Sequence, residues 1–152
     1  MDGFPFSWPV EVRFSDVDAM NHVNNAVYLA YLELARVRLW QTRFGFAGSA
    51  RDIPVIVARI AVDYRSPVGL EDPVEVGIGV THIGRTSFTF RYRVGAGGRL
   101  AADAESVQVC FDYGAGRPVP VDEEFRRQLE GLRITPPAPA RPGRAARRPG
   151  PS

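Results

Sequence analysis

One long helix, predicted for residues 26–44 (AVYLAYLELARVRLWQTRF), limits the folds open to this chain. The segment contains neither Gly nor Pro, it is rich in good helix formers, and Gly45 follows it as a stop. Its first half is apolar on nearly every side, with polar side chains entering only from Glu33 onward. A helix of this kind must be wrapped on several sides, so we expect it at the centre of a curved sheet.

Strand patterns account for most of the remaining body. An alternating pattern predicts a first strand at residues 8–14, ahead of the helix. Four longer strand patterns follow the helix, at residues 55–64, 74–83, 86–94 and 99–113. A short amphipathic helix is predicted at residues 122–132, with acids in its first turn. Short connections favour antiparallel pairing, so the predicted fold class is α+β, a curved antiparallel sheet wrapped around one long central helix.

Charge is distributed unevenly along the chain. All 19 basic residues are Arg, and four of them lie in residues 135–152, a segment without acids. This Pro-, Ala- and Arg-rich segment holds too few apolar side chains to offset the entropy of ordering, so we predict a disordered tail after a single domain at residues 1–134. The domain carries 15 Arg against 17 acids, a net charge of about −2. A mildly acidic body and a solvated tail argue against nucleic acid as a partner.

The sequence also argues against several classes of protein and of site. It has no apolar run of the roughly 18 residues that a membrane-spanning helix needs, and we expect no signal peptide and no membrane partner. Cys110 is the only cysteine, so no internal disulfide can form, which indicates the cytoplasm. Cys110 is expected to pack in a strand, and no G-x-S-x-G elbow is present. With His22 and His82 as the only histidines, no metal site is predicted.

The junction between the first strand and the helix, DVDAMNHVNNAV (16–27), is dense in polar residues. One interpretation is helix capping, in which Asn24 or Asn25 accepts a free backbone N–H while Asp16 and Asp18 favour the positive end of the helix. Capping needs only one or two of these side chains, whereas the segment holds two acids, one His and three Asn. The excess favours a functional site.

The start of the predicted helix indicates which chemistry this site performs. The helix is apolar from its first turn, so we expect its N-terminus to lie deep in the protein. A buried helix N-terminus presents unpaired N–H donors that can stabilise a developing oxyanion. A carboxylate beside such donors is placed as a nucleophile or a general base at a polarised carbonyl.

Four segments together resemble a known family. They are VRFSDVDAMNHVNNAVYLAYLELAR (12–36), ARIAVDYRSPVGLEDPVEV (58–76), THIGRTSFTFRYRV (81–94) and SVQVCFDYGAGRPVPVDEEFRRQL (106–129). In this order they resemble the hotdog-fold acyl-CoA thioesterases of the 4-hydroxybenzoyl-CoA thioesterase type, and the HVNN pattern is shared with acyl-carrier-protein thioesterases. The resemblance spans roughly residues 8–132 and implies a hotdog fold.

The resemblance implies roles for the residues that match the family's motifs. Asp18 occupies the place of the catalytic carboxylate, and Asn25 opens the helix with the backbone N–H that polarises the thioester carbonyl. His22 matches the His of the HVNN pattern. Met20 stands where the acyl-carrier-protein enzymes have Asn, which leaves His22 with either a supporting role or none.

The segment HIGRTSF resembles the family's turn and strand that contact the CoA part of the substrate. Arg85 is placed to pair with a CoA phosphate and Ser87 to hydrogen-bond nearby, because a guanidinium matches phosphate oxygens well. The alternative for Arg85 is a hairpin-turn arginine in water. In the family the acyl pocket lies between subunits, which implies that residues around 60–64 of a partner line it.

The predicted function is hydrolysis of an acyl-CoA thioester to a carboxylic acid and CoA, with no metal or redox cofactor. Alternatives are a non-catalytic acyl-CoA binding or sensing protein, an acyl-carrier-protein thioesterase, and, ranked last, a dehydratase, which needs a well-placed His–Asp pair. The acidic body favours CoA over an acidic carrier protein. The outer face and edges of the long strands need covering, which favours a homodimer or homotetramer with sheets joined edge to edge.

Overall fold

The structure is a computed structural model that describes residues 1–49 and 53–135. Its elements follow one another as β1 (Phe6–Val10), a 3₁₀ turn (Phe14–Asp16), α1 (Val27–Arg43), β2 (Val55–Tyr64), β3 (Val74–Ile83), β4 (Ser87–Ala96), β5 (Arg99–Asp112), β6 (Arg117–Pro118) and α2 (Glu123–Glu130). No helix in these two ranges is long and apolar enough to cross a bilayer. Apart from residue 135, the tail predicted at residues 135–152 lies outside the described residues.

The six strands form one antiparallel sheet in the order β1-β3-β4-β5-β2, with β6 paired to the end of β5. β3, β4 and β5 are long and in the centre, so β1 and β2 are the edge strands. β1 has only five residues and includes Pro9, which has no N–H to donate. β2 has ten residues and pairs with β5 alone, which leaves its outer edge open within this chain.

α1 lies across the inner face of this sheet and contacts mainly β1 and β3. Its fully buried side chains include Leu32, Ala35 and Leu39, which belong to the same hydrophobic core as the alternating apolar side chains of β4, such as Phe90 and Val94. This alternation arises because successive strand side chains point to opposite faces of a sheet. The predicted α+β class, with an antiparallel sheet around one long helix, is confirmed.

α2 closes one end of the core beside the C-terminal part of α1. The ring of Phe125 stacks on that of Trp40 with centroids 5.2 Å apart, and it meets the ring of Phe88 edge to face at 5.3 Å. The carboxylate of Asp122 accepts a hydrogen bond from the Phe125 N–H at 2.8 Å and so caps α2. α1 therefore runs along the strands, with its last turns at this aromatic end of the sheet.

The sheet covers only one side of α1, so the expectation that the helix is wrapped on several sides is wrong for the single chain. Leu29 on α1 is 41% exposed, and Val57 and Tyr64 on the inner face of β2 are 43% and 45% exposed. The reason is the position of α1 mainly over β1 and β3, which leaves the inner face of β2 only partly covered by its own chain. The ring of Tyr28 on α1 meets that of Tyr64 on β2 edge to face, with centroids 5.1 Å apart.

The outer face of the sheet carries pairs of opposite charges. The expectation that this face and the strand edges need covering stays a prediction. Arg59 pairs with Glu105 at 3.1 Å, and Asp103 lies 3.6 Å from Arg65 and 3.8 Å from Arg93. Side chains of opposite charge on neighbouring strands suit contact with water. The open edge of β2 and the exposed Val57 and Tyr64 beside it lie together on the other side of the sheet.

The strand predicted ahead of the helix is present, but its predicted bounds of residues 8–14 are wrong, because β1 runs from Phe6 to Val10 and the chain then enters the 3₁₀ turn. The Asp16 carboxylate accepts the backbone N–H of Arg13 at 2.9 Å and its guanidinium at 2.8 Å. An extended strand cannot make this pair of contacts over three residues. By contrast, β2 and β3 match the predicted ranges, and α1 differs by one residue at each end.

Asp16 joins this turn to α1. It is 2% exposed, and its carboxylate also accepts a hydrogen bond from the Tyr31 hydroxyl at 2.8 Å. Its backbone C=O accepts the Asn24 N–H at 2.8 Å. Burial opposes ionisation of Asp16, but the hydrogen bonds from Arg13 and Tyr31 outweigh it and hold the pKa of the carboxyl below its usual value.

Replacing Asp16 with Asn keeps the size of the side chain and removes its charge. We expect the free energy of unfolding at neutral pH to fall by about 2 kcal/mol, because hydrogen bonds to a charged group are lost. Urea unfolding followed by circular dichroism measures this change. The exposed Asp18 offers the matched control, and Asp18→Asn should change the free energy of unfolding by less than about 0.5 kcal/mol.

The free energy of unfolding that Asp16→Asn loses should depend on pH, and the direction of this dependence follows from the pKa of Asp16. Because the folded-state pKa lies below the unfolded one, the carboxylate stabilises the fold above the unfolded pKa, and this contribution is lost as the pH falls through the folded pKa. The difference between wild type and Asp16→Asn should thus be largest near neutral pH and shrink below about pH 4. A difference that stays constant into the acid range would contradict this role of Asp16.

Candidate active site

The predicted catalytic acid lies on a tight loop between the 3₁₀ turn and α1. An antiparallel bridge between Val17 and Val23 closes the loop. Inside it, the Asp18 N–H donates to the His22 C=O at 2.9 Å, and the Asn21 N–H donates to the Asp18 C=O at 2.9 Å. Asn21 has a φ of 59°, a left-handed conformation that Asn tolerates better than most residues. The loop therefore holds Asp18 by its backbone.

One oxygen of the Asp18 carboxylate is occupied and the other is open. Oδ1 accepts the Met20 N–H at 2.9 Å and, at 3.5 Å, that of His22. Oδ2 has no hydrogen-bond partner among the described residues, and the side chain is exposed. These contacts fix the direction of the carboxylate and leave one oxygen available for a proton or a carbonyl carbon.

His22 shares this loop with Asp18, but the two residues meet through the backbone. The imidazole of His22 is half-buried and makes no hydrogen bond to another described side chain. The structure thus brings the two residues together without forming a His–Asp pair. Such a pair is what a dehydratase mechanism would need.

The start of α1 presents a free backbone N–H at Asn25. The Asn24 C=O accepts the Val27 N–H at 2.9 Å, and the Asn24 side-chain oxygen accepts that of Ala26 at 2.9 Å. No described residue accepts the Asn25 N–H. On the other side of the same residue, the hydroxyl of Tyr64 donates to the Asn25 C=O at 2.8 Å. Tyr64 thus holds the Asn25–Ala26 peptide group, which directly follows the N–H predicted to polarise the carbonyl.

The expected burial of the helix N-terminus is wrong for the single chain. Asn24, Asn25 and Ala26 are exposed, as is Asp18. The junction lies at a rim of the sheet that α1 and α2 do not cover, since α2 packs at the opposite end of α1. Water reaches the site from this side unless another molecule covers it.

The predicted CoA-binding residues lie in the turn between β3 and β4. The Gly84 N–H donates to the Ser87 C=O at 2.7 Å, and the Arg85 C=O accepts the Val121 N–H at 2.8 Å. The Arg85 side chain is exposed, and the Arg126 guanidinium donates to the Gly84 C=O at 2.7 Å. Two guanidinium groups therefore lie at this turn, a suitable arrangement for an anionic group such as a phosphate.

Within one chain the turn and the acid lie at opposite ends of the sheet. Tyr64, next to the start of α1, is opposite Ala102, and Ala102 is opposite Val94. Ser87 is opposite Val109, seven residues away along the same two strands. At about 3.3 Å per residue this separation is roughly 23 Å. The structure therefore does not bring Asp18 and Arg85 together in a single chain.

A cavity of about 310 Å³ lies between α1 and the start of β2. Its lining includes Trp40, Val57 and Gln108, and Gln108 belongs to a buried polar cluster with Tyr92 and Ser106. This cluster was not predicted from the sequence, although the alternation of β5 places Ser106 and Gln108 on the core-facing side. A larger cavity, of about 830 Å³, lies near the N-terminus and contains none of the predicted site residues.

Cys110 packs in the core, as predicted. Its side chain is buried, and burial raises the pKa of the thiol to about 11, so it stays protonated at neutral pH. No group of three or more His, Cys, Asp or Glu side chains in residues 1–49 and 53–135 is arranged to hold a metal ion. Asp18 keeps an open carboxylate oxygen, and Asn25, two residues past the Val17–Val23 bridge, keeps a free N–H.

The chain is similar to known thioesterases. Residues 12–129 match the thioesterase-like superfamily. A thioesterase from Thermus thermophilus, whose solved structure holds coenzyme A and zinc, is 40% identical with a TM-score of 0.79, and the match covers 87% of this chain and 96% of that one. The acyl-CoA thioester hydrolase YbgC of Escherichia coli O6:H1 is 34% identical over 110 residues, 70% of this chain and 82% of the relative. The long-chain acyl-CoA thioesterase FadM of Escherichia coli K12 is 29% identical over 126 residues, 81% of this chain and 96% of the relative.

These similarities extend over the same body that the sheet and the two helices form. The family match begins at residue 12, ahead of the acidic loop, and ends at residue 129 within α2. The solved thioesterase shares the arrangement of the strands around α1 over nearly its whole length. The chain therefore belongs to the thioesterase-like superfamily and has the hotdog fold.

Proposed function

We propose that this thioester hydrolase cleaves acyl-CoA thioesters to a carboxylic acid and free CoA, with Asp18 as the acting carboxylate. The proposal rests on the junction between the 3₁₀ turn and α1. Asp18, inside the loop closed by the Val17–Val23 bridge, has an open carboxylate oxygen, and Asn25, just after the loop, has an unpaired backbone N–H. Relatives named as acyl-CoA thioesterases support the choice of substrate. The Thermus thermophilus relative, whose structure holds coenzyme A, supports the choice of thiol.

Asn25 stabilises the charge that develops on the thioester oxygen. Its N–H has no other acceptor among the described residues, and the Tyr64 hydroxyl binds the C=O of the same residue, in the next peptide group. A donor fixed before the reaction stabilises an oxyanion without reorganising, which is the main source of catalysis in such sites. The positive end of the α1 dipole acts in the same direction.

Asp18 serves the reaction by either of two routes. As a general base it takes a proton from water, the water oxygen bonds to the carbonyl carbon, and collapse of the tetrahedral intermediate breaks the C–S bond. The CoA thiolate then leaves and recovers the proton from the Asp18 carboxyl. As a nucleophile, Asp18 instead forms a mixed anhydride as the thiolate leaves, and water hydrolyses the anhydride to the acid and the free carboxylate. Neither route uses a metal or a redox cofactor.

A second copy of the chain completes the site. The open edge of β2 and the exposed inner-face side chains of Val57 and Tyr64 offer backbone groups and apolar surface in one place. Antiparallel pairing of β2 with the same strand of a second chain forms a two-fold dimer and a continuous sheet. The second α1 then covers the inner face that the first one leaves open. A homodimer is the smallest assembly that does this.

Pairing through β2 also brings the two halves of the predicted site together. An antiparallel match places the Tyr64 end of one β2 beside the Val55 end of the other. The turn with Arg85 and Ser87 lies at the Val55 end of the sheet. Asp18 of one chain thereby approaches the partner's Arg85, whose guanidinium pairs with a CoA phosphate.

Asp18→Asn should lower kcat/KM for thiol release from acyl-CoA by about a hundredfold or more, because the carboxylate that moves the proton or attacks the carbon is lost. Release of CoA is measured with a thiol reagent, on a panel of acyl-CoAs from short to long and aromatic. The exposed acid Asp2, on the outer side of the sheet, provides the same substitution as a control, and Asp2→Asn should retain wild-type activity.

Two results of this experiment would reject the proposal. Hydrolysis that Asp18→Asn leaves intact would assign the chemistry to another group. Absence of thiol release from every acyl-CoA by the wild type, together with measurable acyl-CoA binding, would instead favour a binding or sensing protein.

Mixing two inactive variants tests whether the site is shared between subunits. In a homodimer of Asp18→Asn chains, or of Arg85→Ala chains, both active sites carry the substitution and lose activity. In a heterodimer with a shared site, one site carries both substitutions and the other carries none. Random pairing gives heterodimers in half of the dimers, so a refolded equal mixture should recover about a quarter of the wild-type kcat/KM.

The same two variants, assayed separately and averaged, supply the control for this mixture. If the whole site lay within one chain, mixing would give the mean of the two separate activities and no recovery. Light scattering on the wild type and on each variant checks that all three form the same assembly.

A further inference from the structure

Asn24, the residue before Asn25, is held at every polar group except one. Its N–H donates to the Asp16 C=O at 2.8 Å, and its C=O accepts the Val27 N–H at 2.9 Å. Its side-chain oxygen, Oδ1, accepts the Ala26 N–H at 2.9 Å. The side-chain NH₂ group, Nδ2, has no hydrogen-bond partner among the described residues. The residue is therefore fixed in place, and a single donor group is left over.

The orientation of the Asn24 amide follows from its partner. A backbone N–H can only donate, so the end of the amide that faces the Ala26 N–H must be the oxygen. Turning the amide over would set two donors against each other and would leave the Ala26 N–H without this acceptor. The NH₂ group is therefore on the arm of the amide that is turned away from Ala26. Asn24 is exposed, so a bound molecule can reach this group.

Capping of α1 does not need this NH₂ group. Ser and Asp cap helices about as well as Asn does, and they do so through an oxygen alone. The positive end of the helix dipole would favour Asp, because its carboxylate carries the opposite charge. Asn differs from both of these caps in carrying a neutral donor beside the capping oxygen. Such a side chain suits a place where negative charge develops on a bound molecule.

The free NH₂ group of Asn24 and the free N–H of Asn25 are close enough to bind one oxygen. Covalent geometry keeps the two nitrogens within about 6 Å of each other, because both are tied by short bonded paths to the Asn24 Cα. Two donors that each bind the same oxygen at about 2.9 Å lie up to about 5.8 Å apart. Both donors are also held before any substrate binds, since Oδ1 restrains the amide and the Tyr64 hydroxyl restrains the Asn25 C=O.

We propose that the Asn24 side chain is a further catalytic residue, whose NH₂ group binds the thioester oxygen beside the Asn25 N–H and so forms the second donor of the oxyanion hole. The oxygen gains negative charge as the carbonyl carbon is attacked, and both hydrogen bonds strengthen. Neither donor gives up its proton, and the oxygen becomes a carbonyl oxygen again when the C–S bond breaks. This assignment rests on the proposed function and adds a residue to its site.

Asn24→Ser keeps a capping oxygen and removes the NH₂ group. We expect kcat for thiol release from acyl-CoA to fall by about tenfold or more with little change in KM, because the lost hydrogen bond is strongest in the transition state. The urea midpoint of unfolding should stay near that of the wild type, since Ser caps as well as Asn. As a control, Gln41→Ser removes an exposed amide near the other end of α1 and should retain the wild-type kcat.

Two further substitutions separate catalysis from capping. Asn24→Asp keeps the shape and the capping oxygen but puts a negative charge beside the oxyanion, so kcat should fall by about a hundredfold or more. Its urea midpoint should nevertheless equal or exceed that of the wild type, because a carboxylate suits a helix N-terminus. Asn24→Ala loses the capping oxygen as well as the donor, so its urea midpoint should fall while its kcat matches that of Asn24→Ser.

A capping role alone predicts the opposite pattern, in which kcat follows the urea midpoint from one variant to the next. The wild-type kcat in Asn24→Ser or in Asn24→Asp would overturn the role of the NH₂ group and leave the proposed function standing. If the smaller Ser side chain disrupts the fold, the isosteric Asn24→Asp decides alone. Absence of thiol release from every acyl-CoA by the wild type would overturn the proposed function, and this inference with it.

Discussion

The buried carboxylate of Asp16 is the contact on which the rest of the site depends. It binds the backbone and guanidinium of Arg13 on one side and the hydroxyl of Tyr31, from the second turn of α1, on the other. The acidic loop leaves the chain directly after Asp16 and returns to it, since the Asn24 N–H binds the Asp16 C=O. One ionised group thus fixes the position of the helix start relative to the loop that carries Asp18, and catalysis requires the two to be fixed to within a fraction of an ångström.

Most of the fold could be predicted from local patterns, because periodicity alone distinguishes a ten-residue alternating strand from a long apolar helix. β2 and β3 were predicted to the residue for this reason. The first strand was misjudged because VEVRF alternates as a strand does, while the contact that ends it, from Arg13 to Asp16, belongs to a turn. The sheet order was not specified in advance, since edge and central strands differ little in sequence.

The site could be predicted less completely than the fold. Asp18, His22 and Asn25 are neighbours in sequence and share one junction, so their proximity followed from the motif. Arg85 lies at the far end of the sheet, and a sequence motif does not show how far apart two residues lie in the folded chain. The contact of Tyr64 with Asn25 was missed because it depends on strand register, which fixes the neighbours of a residue only after the whole sheet has formed.

The unequal edges of the sheet have a consequence for how far assembly can proceed. β2 is long and open, whereas β1 has five residues and contains Pro9, which cannot donate to a further strand. A sheet that joins its own copy through β2 therefore ends in two short, proline-bearing edges. In such a dimer neither free edge offers a long strand to a third chain, and the charged outer face discourages stacking of one sheet on another. The two edges of the sheet therefore differ in what they can bind, because β2 can accept a further strand along its length and β1 cannot.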